Sequence, residues 1–250
     1  MQEGLYGDVG KMNEIAILMA AGLGNRMRPL TNSLPKPLVS VRGIPLIETV
    51  LSALQKRGVK DVYVVTGYKG EAFLSFLPKH PNVHLVQNRD YATKNNINSI
   101  AVVAEVMASS DCFVCEADLF VADENLLCRP LDRSGYFGKF VQGDSSDWVF
   151  ETPRRDVDGV PLISHIGIGG TNCFNMVGIS YFKQPDAARI ATAVRAAIAK
   201  PENDQLFWDE IVDRLVQNGL ELIVHEVKSE AVVECDTVED LKKLEATLCK

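Results

Sequence analysis

The chain is poor in several features that would each have pointed to a function. Of 250 residues only four are histidines and two are tryptophans, and the formal net charge of −7 leaves no basic excess. A general nucleic-acid binder normally carries such an excess, so that class is set aside, while a small anion held by a few local cations stays compatible. No apolar run approaches the ~20 residues of a membrane-spanning helix, which argues against membrane insertion. Residues 1–13 are too polar and glycine-rich for a secretory core and read as a flexible leader. His80, His84, His165 and His225 stand beside no serine or cysteine nucleophile in a recognisable pattern, so they are given no catalytic role. Six cysteines are scattered singly, apart from Cys112 and Cys115. Residues three apart on a strand point to opposite faces, so this pair is not expected to grip one ion. Buried free thiols in a reducing, cytoplasmic setting are expected instead. Repeats, low-complexity tracts and clear linkers are lacking as well.

Two familiar phosphate motifs are also missing. No Gly-Lys-Ser/Thr triplet follows Gly24, and Met27 sits where a dinucleotide fingerprint needs its third glycine. What stands there is the apolar run Ile15-Ala16-Ile17-Leu18-Met19, which reads as a buried strand. It feeds into Ala20-Ala21-Gly22-Leu23-Gly24-Asn25-Arg26-Met27-Arg28-Pro29, with Pro35-Lys36-Pro37 beyond. Gly22 and Gly24 let the backbone approach a ligand closely, and successive N–H groups in such a loop make an anion-binding concavity. Arg26 adds a forked donor and Lys36 a compact charge, both suited to phosphate oxygens. The combination predicts a nucleoside triphosphate on this loop; the plain alternative is a strand-to-helix turn with two surface arginines.

Downstream, apolar spacing predicts a helix from Leu46 to Leu54 stopped by Gly58, a strand at 61–66, a short helix at 69–77, a strand at 83–87, a helix at 97–107 and a strand at 111–115. This alternation predicts an α/β fold with a mainly parallel sheet and helices on both faces. From Gly135 to Tyr181 the pattern turns to short β-like runs, expected to form hairpins of a lid or acceptor region. Helices are expected at 185–199 and 204–217, strands at 220–227 and 231–235, and a last helix capped by Thr237. The chain therefore reads as one domain over 14–250: a nucleotide-binding core at 14–120, a β-rich lid at 130–182, and a segment at 183–250 that completes the site.

Asp118 follows one predicted strand, and Glu234 and Asp236 follow another. Carboxylates beside a triphosphate suggest Mg²⁺, which takes one or two protein carboxylates and fills its shell from phosphates and water. Asp236 leading into the final helix is the plain alternative. Asn96 and Ser99 open the helix at 97–107, and Asn96 is expected to cap it. Trp148, Phe207, Trp208, Asp209 and Glu210 supply aromatic faces and carboxylates suited to a quaternary ammonium, against the alternative that both tryptophans simply pack.

The stretch from Met19 to Leu38 resembles the signature of nucleotidyltransferases that activate sugar phosphates and small phospho-alcohols. Asn95-Asn96-x-x-Ser99, Trp148 and the run Phe207-Trp208-Asp209 resemble bacterial cytidylyltransferases that act on phosphocholine. Phe207 departs from the tyrosine expected there. The resemblance implies a Rossmann-like core and transfer of CMP from CTP to phosphocholine with release of pyrophosphate. It implies that Arg26 and Lys36 contact the triphosphate and that Asp118, Glu234 and Asp236 hold Mg²⁺. Ala20, Ala21, Gly22, Leu23, Gly24, Gln87, Asn88, Tyr91, Asn96 and Ser99 would then line the nucleotide cleft, and Trp148, Phe207, Trp208, Asp209 and Glu210 the acceptor site. The same chemistry on 2-aminoethylphosphonate, phosphoethanolamine or a sugar 1-phosphate is the nearest rival. A module that binds CTP without turning it over is the rival of another class, and the three acids argue against it.

Overall fold

The computed structural model describes residues 14–248; the leader expected over 1–13 lies outside the described residues. Strands β1 (Glu14–Ala20), β2 (Asp61–Thr66), β3 (Val83–Gln87) and β4 (Asp111–Glu116) lie where the apolar runs put them. They are parallel in the order β3-β2-β1-β4, with Ile15 opposite Asp61 on one side of β1 and Cys112 on the other. Side chains alternate between two cores. Ala16, Leu18, Phe113 and Cys115 join one, packed under helix α1 (Leu46–Arg57), whereas Ile15, Ile17, Cys112 and Val114 join the other. A sheet buried on both faces accounts for the unbroken apolar runs. It also places Cys112 and Cys115 on opposite sides, both buried and free of disulfides.

The second half of the sheet is antiparallel in part. Beyond the short strand β5 (Leu119–Val121) come two long strands, β6 (Gly135–Glu151) and β7 (His165–Phe182), which pair with each other, while β7 also pairs antiparallel with β4. The hairpins expected for a lid are thus mainly one ribbon whose base belongs to the main sheet and whose outer half faces solvent. Strand β8 (Ile223–Glu226) adds parallel to β6, and two short strands complete a nine-stranded sheet.

The predicted helix at 97–107 divides into α2 (Ile97–Ala101) and α3 (Ala104–Met107), because Val103 leaves the helical region at φ −115°, ψ 11°. They pack with α4 (Gln184–Ile198) and α5 (Trp208–Gln217) on the face opposite α1. α5 begins four residues later than expected, after a turn of 3-10 helix at Pro201–Asn203. The expected helix at 69–77 is likewise two 3-10 stretches, Gly70–Ser75 and Leu77–Lys79, the second with Pro78 in its first turn. Strand β9 (Val232–Glu234) pairs antiparallel with β5. Helix α6 (Val238–Thr247) follows and is capped as expected: Asp240 N–H donates to Thr237 Oγ1 (3.1 Å), and Thr237 N–H donates to Asp240 Oδ2 (2.9 Å). No helix among the described residues is long and apolar enough to cross a membrane.

Candidate active site

Strand order reverses between β1 and β4, and ligands of such sheets collect at the carboxyl ends of the strands there. A cleft of about 410 Å³ opens at that point. Its floor is the loop after β1, Ala20 to Arg26, and its wall is Glu116 and Asp118 after β4. Gly24 adopts φ 62°, which favours glycine, and a Cβ on it would crowd Thr31 Cγ2 at 3.0 Å. A Cβ on Gly22 would meet nothing within 4 Å, so this residue faces open space. Met27, standing at the place of a third glycine, is buried against Cys235, Leu241 and Leu244. It moors the loop to α6.

The β5–β9 pairing sets Glu234 opposite Leu119, which brings two segments over a hundred residues apart to the same end of the cleft. Lys36 closes the arrangement. Its Nζ lies 2.6 Å from Asp118 Oδ2 and 2.6 Å from Asp236 Oδ1. Arg26 reaches Asp236 Oδ1 at 2.9 Å while keeping 69% of its side chain exposed; Lys36 keeps 10%. Lys36 is therefore a buried cation, not the exposed loop lysine its sequence context suggests. Burial works against its charge, but the two aspartates outweigh burial and raise its pKa. Burial also opposes ionisation of Asp236, and Lys36 and Arg26 reverse the balance, holding that carboxyl below its usual range. Glu234 goes the other way: burial, then the charges of Asp236 and Asp118, push its carboxyl up.

Among the described residues no group of three or more His, Cys, Asp or Glu is arranged to hold a metal ion unaided. The lysine ammonium standing between two aspartates marks a place that attracts a cation. Asp118 and Asp236, with Glu234 adjacent, are hard oxygen donors and fit a hard divalent ion that completes its shell with phosphate oxygens.

The other expected site residues divide. Ala20, Ala21, Gly22, Leu23, Gly24, Asn96 and Ser99 line the cleft, as do Asp118, Glu234 and Asp236. Gln87, Asn88 and Tyr91 do not. Asn88 is buried and organises the neighbouring turn, donating to Ser99 Oγ (3.1 Å) and accepting from Asn98 Nδ2 (2.6 Å). Tyr91 packs against Gly67. Asn96 stands at the N-cap of α2 as expected, but its side chain makes no capping hydrogen bond there. Its Oδ1 accepts the N–H of Trp208 at 2.9 Å, so it caps α5 and ties the two helices together.

The expected aromatic cage is not assembled as one wall. Trp148 and Phe207 pair edge to face at 5.4 Å, and neither lines the cleft. Trp208 is 3% exposed and packs in the core, stacked on Tyr136 (5.9 Å) and edge-on to Phe182 (6.0 Å). Glu210 Oε2 accepts the N–H of Phe207 at 2.7 Å, a helix-start role. Asp209 does point inward: it is 6% exposed, and Tyr136 donates its hydroxyl to Oδ1 at 3.0 Å. Burial pushes the Asp209 carboxyl up to about 7.

Sequence reasoning missed Glu116. It ends β4 opposite Met19 of β1 and receives no hydrogen bond from the side chains of the described residues. Burial, then the nearby charges of Asp118, Glu234 and Asp209, push its carboxyl well up. Room for it comes from a bulge: two steps along β6, from Gly138 to Tyr136, face four along β7, from Met176 to Ser180. Gly178 in that bulge adopts φ 72°, and a Cβ there would stand 3.0 Å from Glu116 Oε2. The available signal was a lone acid closing an otherwise apolar strand, two residues before Asp118.

This sheet, with a glycine loop and opposed carboxylates at its switch point, is the architecture of a nucleotidyltransferase. The chain belongs to the family described as the MobA-like NTP transferase domain, which matches residues 16–165. It is 44% identical over 226 residues to a 2-aminoethylphosphonate cytidylyltransferase of Lancefieldella rimae, covering 90% of this chain and 89% of that one. It is 34% identical to a choline-phosphate cytidylyltransferase of Streptococcus pneumoniae over 93% of this chain and 97% of the relative. The solved structure of a CTP:phosphocholine cytidylyltransferase from Streptococcus pneumoniae superposes with a TM-score of 0.83 at 31% identity, over 95% of this chain and all of that one. The structure of a UDP-glucose pyrophosphorylase shares the fold, with a TM-score of 0.76 at 16% identity.

Proposed function

We propose that the protein transfers CMP from CTP to a small acceptor bearing a phosphate or phosphonate at one end and an ammonium at the other. The observation that carries this reading is the convergence of the glycine loop, Lys36 and the carboxylates Asp118 and Asp236 in one cleft. An acceptor oxygen attacks the α-phosphorus of CTP; a P–O bond forms, the bond to the bridging oxygen breaks, and pyrophosphate leaves with that electron pair. The nucleophile is already an anion, so no general base is required. Loop N–H groups cradle the phosphates, and Lys36 and Arg26 balance charge as it shifts toward the leaving group. Mg²⁺, held by Asp118 and Asp236 with Glu234 beside them, would supply further charge neutralisation when bound. The two relatives differ in acceptor, 2-aminoethylphosphonate against phosphocholine, and the acidic, confined surroundings of Asp209 favour the primary amine.

Pyrophosphate release is the test, with CTP, UTP and ATP crossed against 2-aminoethylphosphonate, phosphoethanolamine, phosphocholine and a sugar 1-phosphate. CTP with an ammonium-bearing acceptor should give the highest rate. Nucleotide binding without turnover of any acceptor would identify a sensing module instead.

A further inference from the structure

The loop after β1 is gripped at two of its carbonyls. Tyr68, just beyond β2, donates its N–H to the Ala21 carbonyl at 3.1 Å. The two loops meet here at backbone level: a Cβ on Gly67 would stand 2.7 Å from the Ala21 oxygen. Thr31, 1% exposed, donates its hydroxyl to the Gly24 carbonyl at 2.8 Å. That carbonyl also accepts the N–H of Met27 at 3.0 Å, so both its lone pairs are engaged. The two grips are joined, because the Tyr68 hydroxyl donates to the Thr31 carbonyl at 2.9 Å. Ala21, Gly22, Gly24 and Asn25 line the cleft, whereas Thr31 and Tyr68 do not. The N–H groups of Gly22, Leu23 and Gly24 donate to no backbone carbonyl among the described residues.

We infer that Thr31 and Tyr68 are positioning residues for the triphosphate: their clamp fixes two peptide planes of the loop, so that the N–H groups of Gly22 and Asn25 face the cleft before a ligand arrives. This role rests on the CMP-transfer reading above for the identity of the anion. In a trans peptide the N–H points opposite to the C=O of the preceding residue, and the Ala21–Gly22 and Gly24–Asn25 bonds are trans. Holding the carbonyls of Ala21 and Gly24 on partners outside the cleft therefore turns the next N–H groups, those of Gly22 and Asn25, the other way. A free loop with two glycines has many conformations to lose when it closes on a ligand. Donors fixed in advance bind without that cost. Thr31 orients the Gly24 carbonyl through its hydroxyl alone. Its Cγ2 methyl only fills space, 3.0 Å from where a Cβ on Gly24 would stand. Hydroxyl and methyl can thus be removed one at a time.

The experiment follows CTP-dependent pyrophosphate release in Thr31→Val, Thr31→Ser and Tyr68→Phe, with whichever of 2-aminoethylphosphonate and phosphocholine the wild type uses faster. Thr31→Val keeps the bulk and loses the hydroxyl. It should raise KM for CTP at least ~10-fold while the acceptor's KM shifts less than ~3-fold. Thr31→Ser keeps the hydroxyl and should stay within ~3-fold of the wild type on both substrates. Tyr68→Phe leaves Thr31 in place and should raise KM for CTP at least ~3-fold, so it carries the test if Thr31→Val does not fold. A packing role would reverse the order at position 31, sparing valine and penalising serine. That reversal, or equal shifts in the two KM values, would overturn the clamp. If the wild type turns over neither acceptor, the transfer reading falls, and hydrogen exchange of the ligand-free protein still decides the clamp. The amides of Met27 and Tyr68, which bond the two held carbonyls, should exchange at least ~3-fold faster in Tyr68→Phe and Thr31→Val than in the wild type. Unchanged exchange at both would overturn it.

Discussion

The cleft at the switch point and the cavity of about 10 Å³ beside it, lined among others by Met19, Glu116, Tyr136, Trp208 and Asp209, both contain carboxylates, but the cleft alone holds cations that pair with them. There Lys36 spans Asp118 and Asp236, and Arg26 leans over Asp236 from the solvent side. In the cavity Glu116 and Asp209 face aromatic rings and each other's field, with no ion-pair partner among the described residues. The difference teaches how each region meets a ligand. The cleft is balanced by itself, because its lysine stands where phosphates and a metal ion would bring their own charges. The cavity holds acids that burial keeps from ionising easily, and a cationic group entering it would relieve that penalty.

The largest expected effect breaks the cleft's side of this comparison. Asp118→Asn and Asp236→Asn should each lower turnover at least ~100-fold through lost metal ligation. Circular dichroism should show a native fold, and near-normal rates at limiting Mg²⁺ would remove that residue from the ligand set.

Lys36→Ala should come next. It leaves Asp118 and Asp236 without their shared cation, costing on the order of 2 kcal/mol of stability in EDTA. Added Mg²⁺ should recover more of the melting temperature in this variant than in the wild type, because the ion takes up the lysine's place. CTP use should fall more than acceptor use. A defect confined to the acceptor's KM would assign Lys36 to the other substrate.

The cavity gives a smaller effect, read by pH. The folded Asp209 carboxyl titrates near 7, above the ordinary ~3.9 of an unfolded chain. Between those values the folded protein holds a proton that the unfolded chain has released, so this residue's contribution to stability is complete at low pH and is lost as pH rises through about 7. The full rise corresponds to at most ~4 kcal/mol, and water entering the cavity should reduce it to ~1–2 kcal/mol. Urea midpoints from pH 4.5 to 8 should therefore fall less steeply in Asp209→Asn than in the wild type. Identical slopes would show that the carboxyl is solvated and the cavity open.

Trp148→Ala should do least. Its ring packs on Phe207 outside the cavity, so ~1 kcal/mol of stability and less than ~3-fold in acceptor KM are expected. A loss near thirtyfold confined to phosphocholine would restore the aromatic cage and count against a primary amine as the acceptor.

Much of this architecture was legible in the sequence because it rests on local rules. Apolar runs of five to seven residues separated by helical periods specify a parallel sheet. The Gly58 stop and the Thr237–Asp240 capping box are written in adjacent residues and appear as read. The loop from Ala20 to Lys36 displayed its chemistry openly, since glycines and cations near a strand end have few structural reasons to coincide. Long-range pairing was different. Nothing local announces that Lys36 is buried between Asp118 and Asp236, or that Asn96 caps a helix more than a hundred residues away.

By itself, then, the sequence determined the fold class, the glycine loop with its cations and the acids at the strand ends, because each follows from residue type and short-range spacing. Only the tertiary structure decided which of the acids share a chamber. Gly178 in the β7 bulge leaves room for the Glu116 side chain, and Glu116, Asp209, Tyr136 and Trp208 line one space of about 10 Å³. Volume, burial and the pairing of charges are properties of packed surfaces contributed by β4, β6, β7 and α5 together. No single segment of chain carries them.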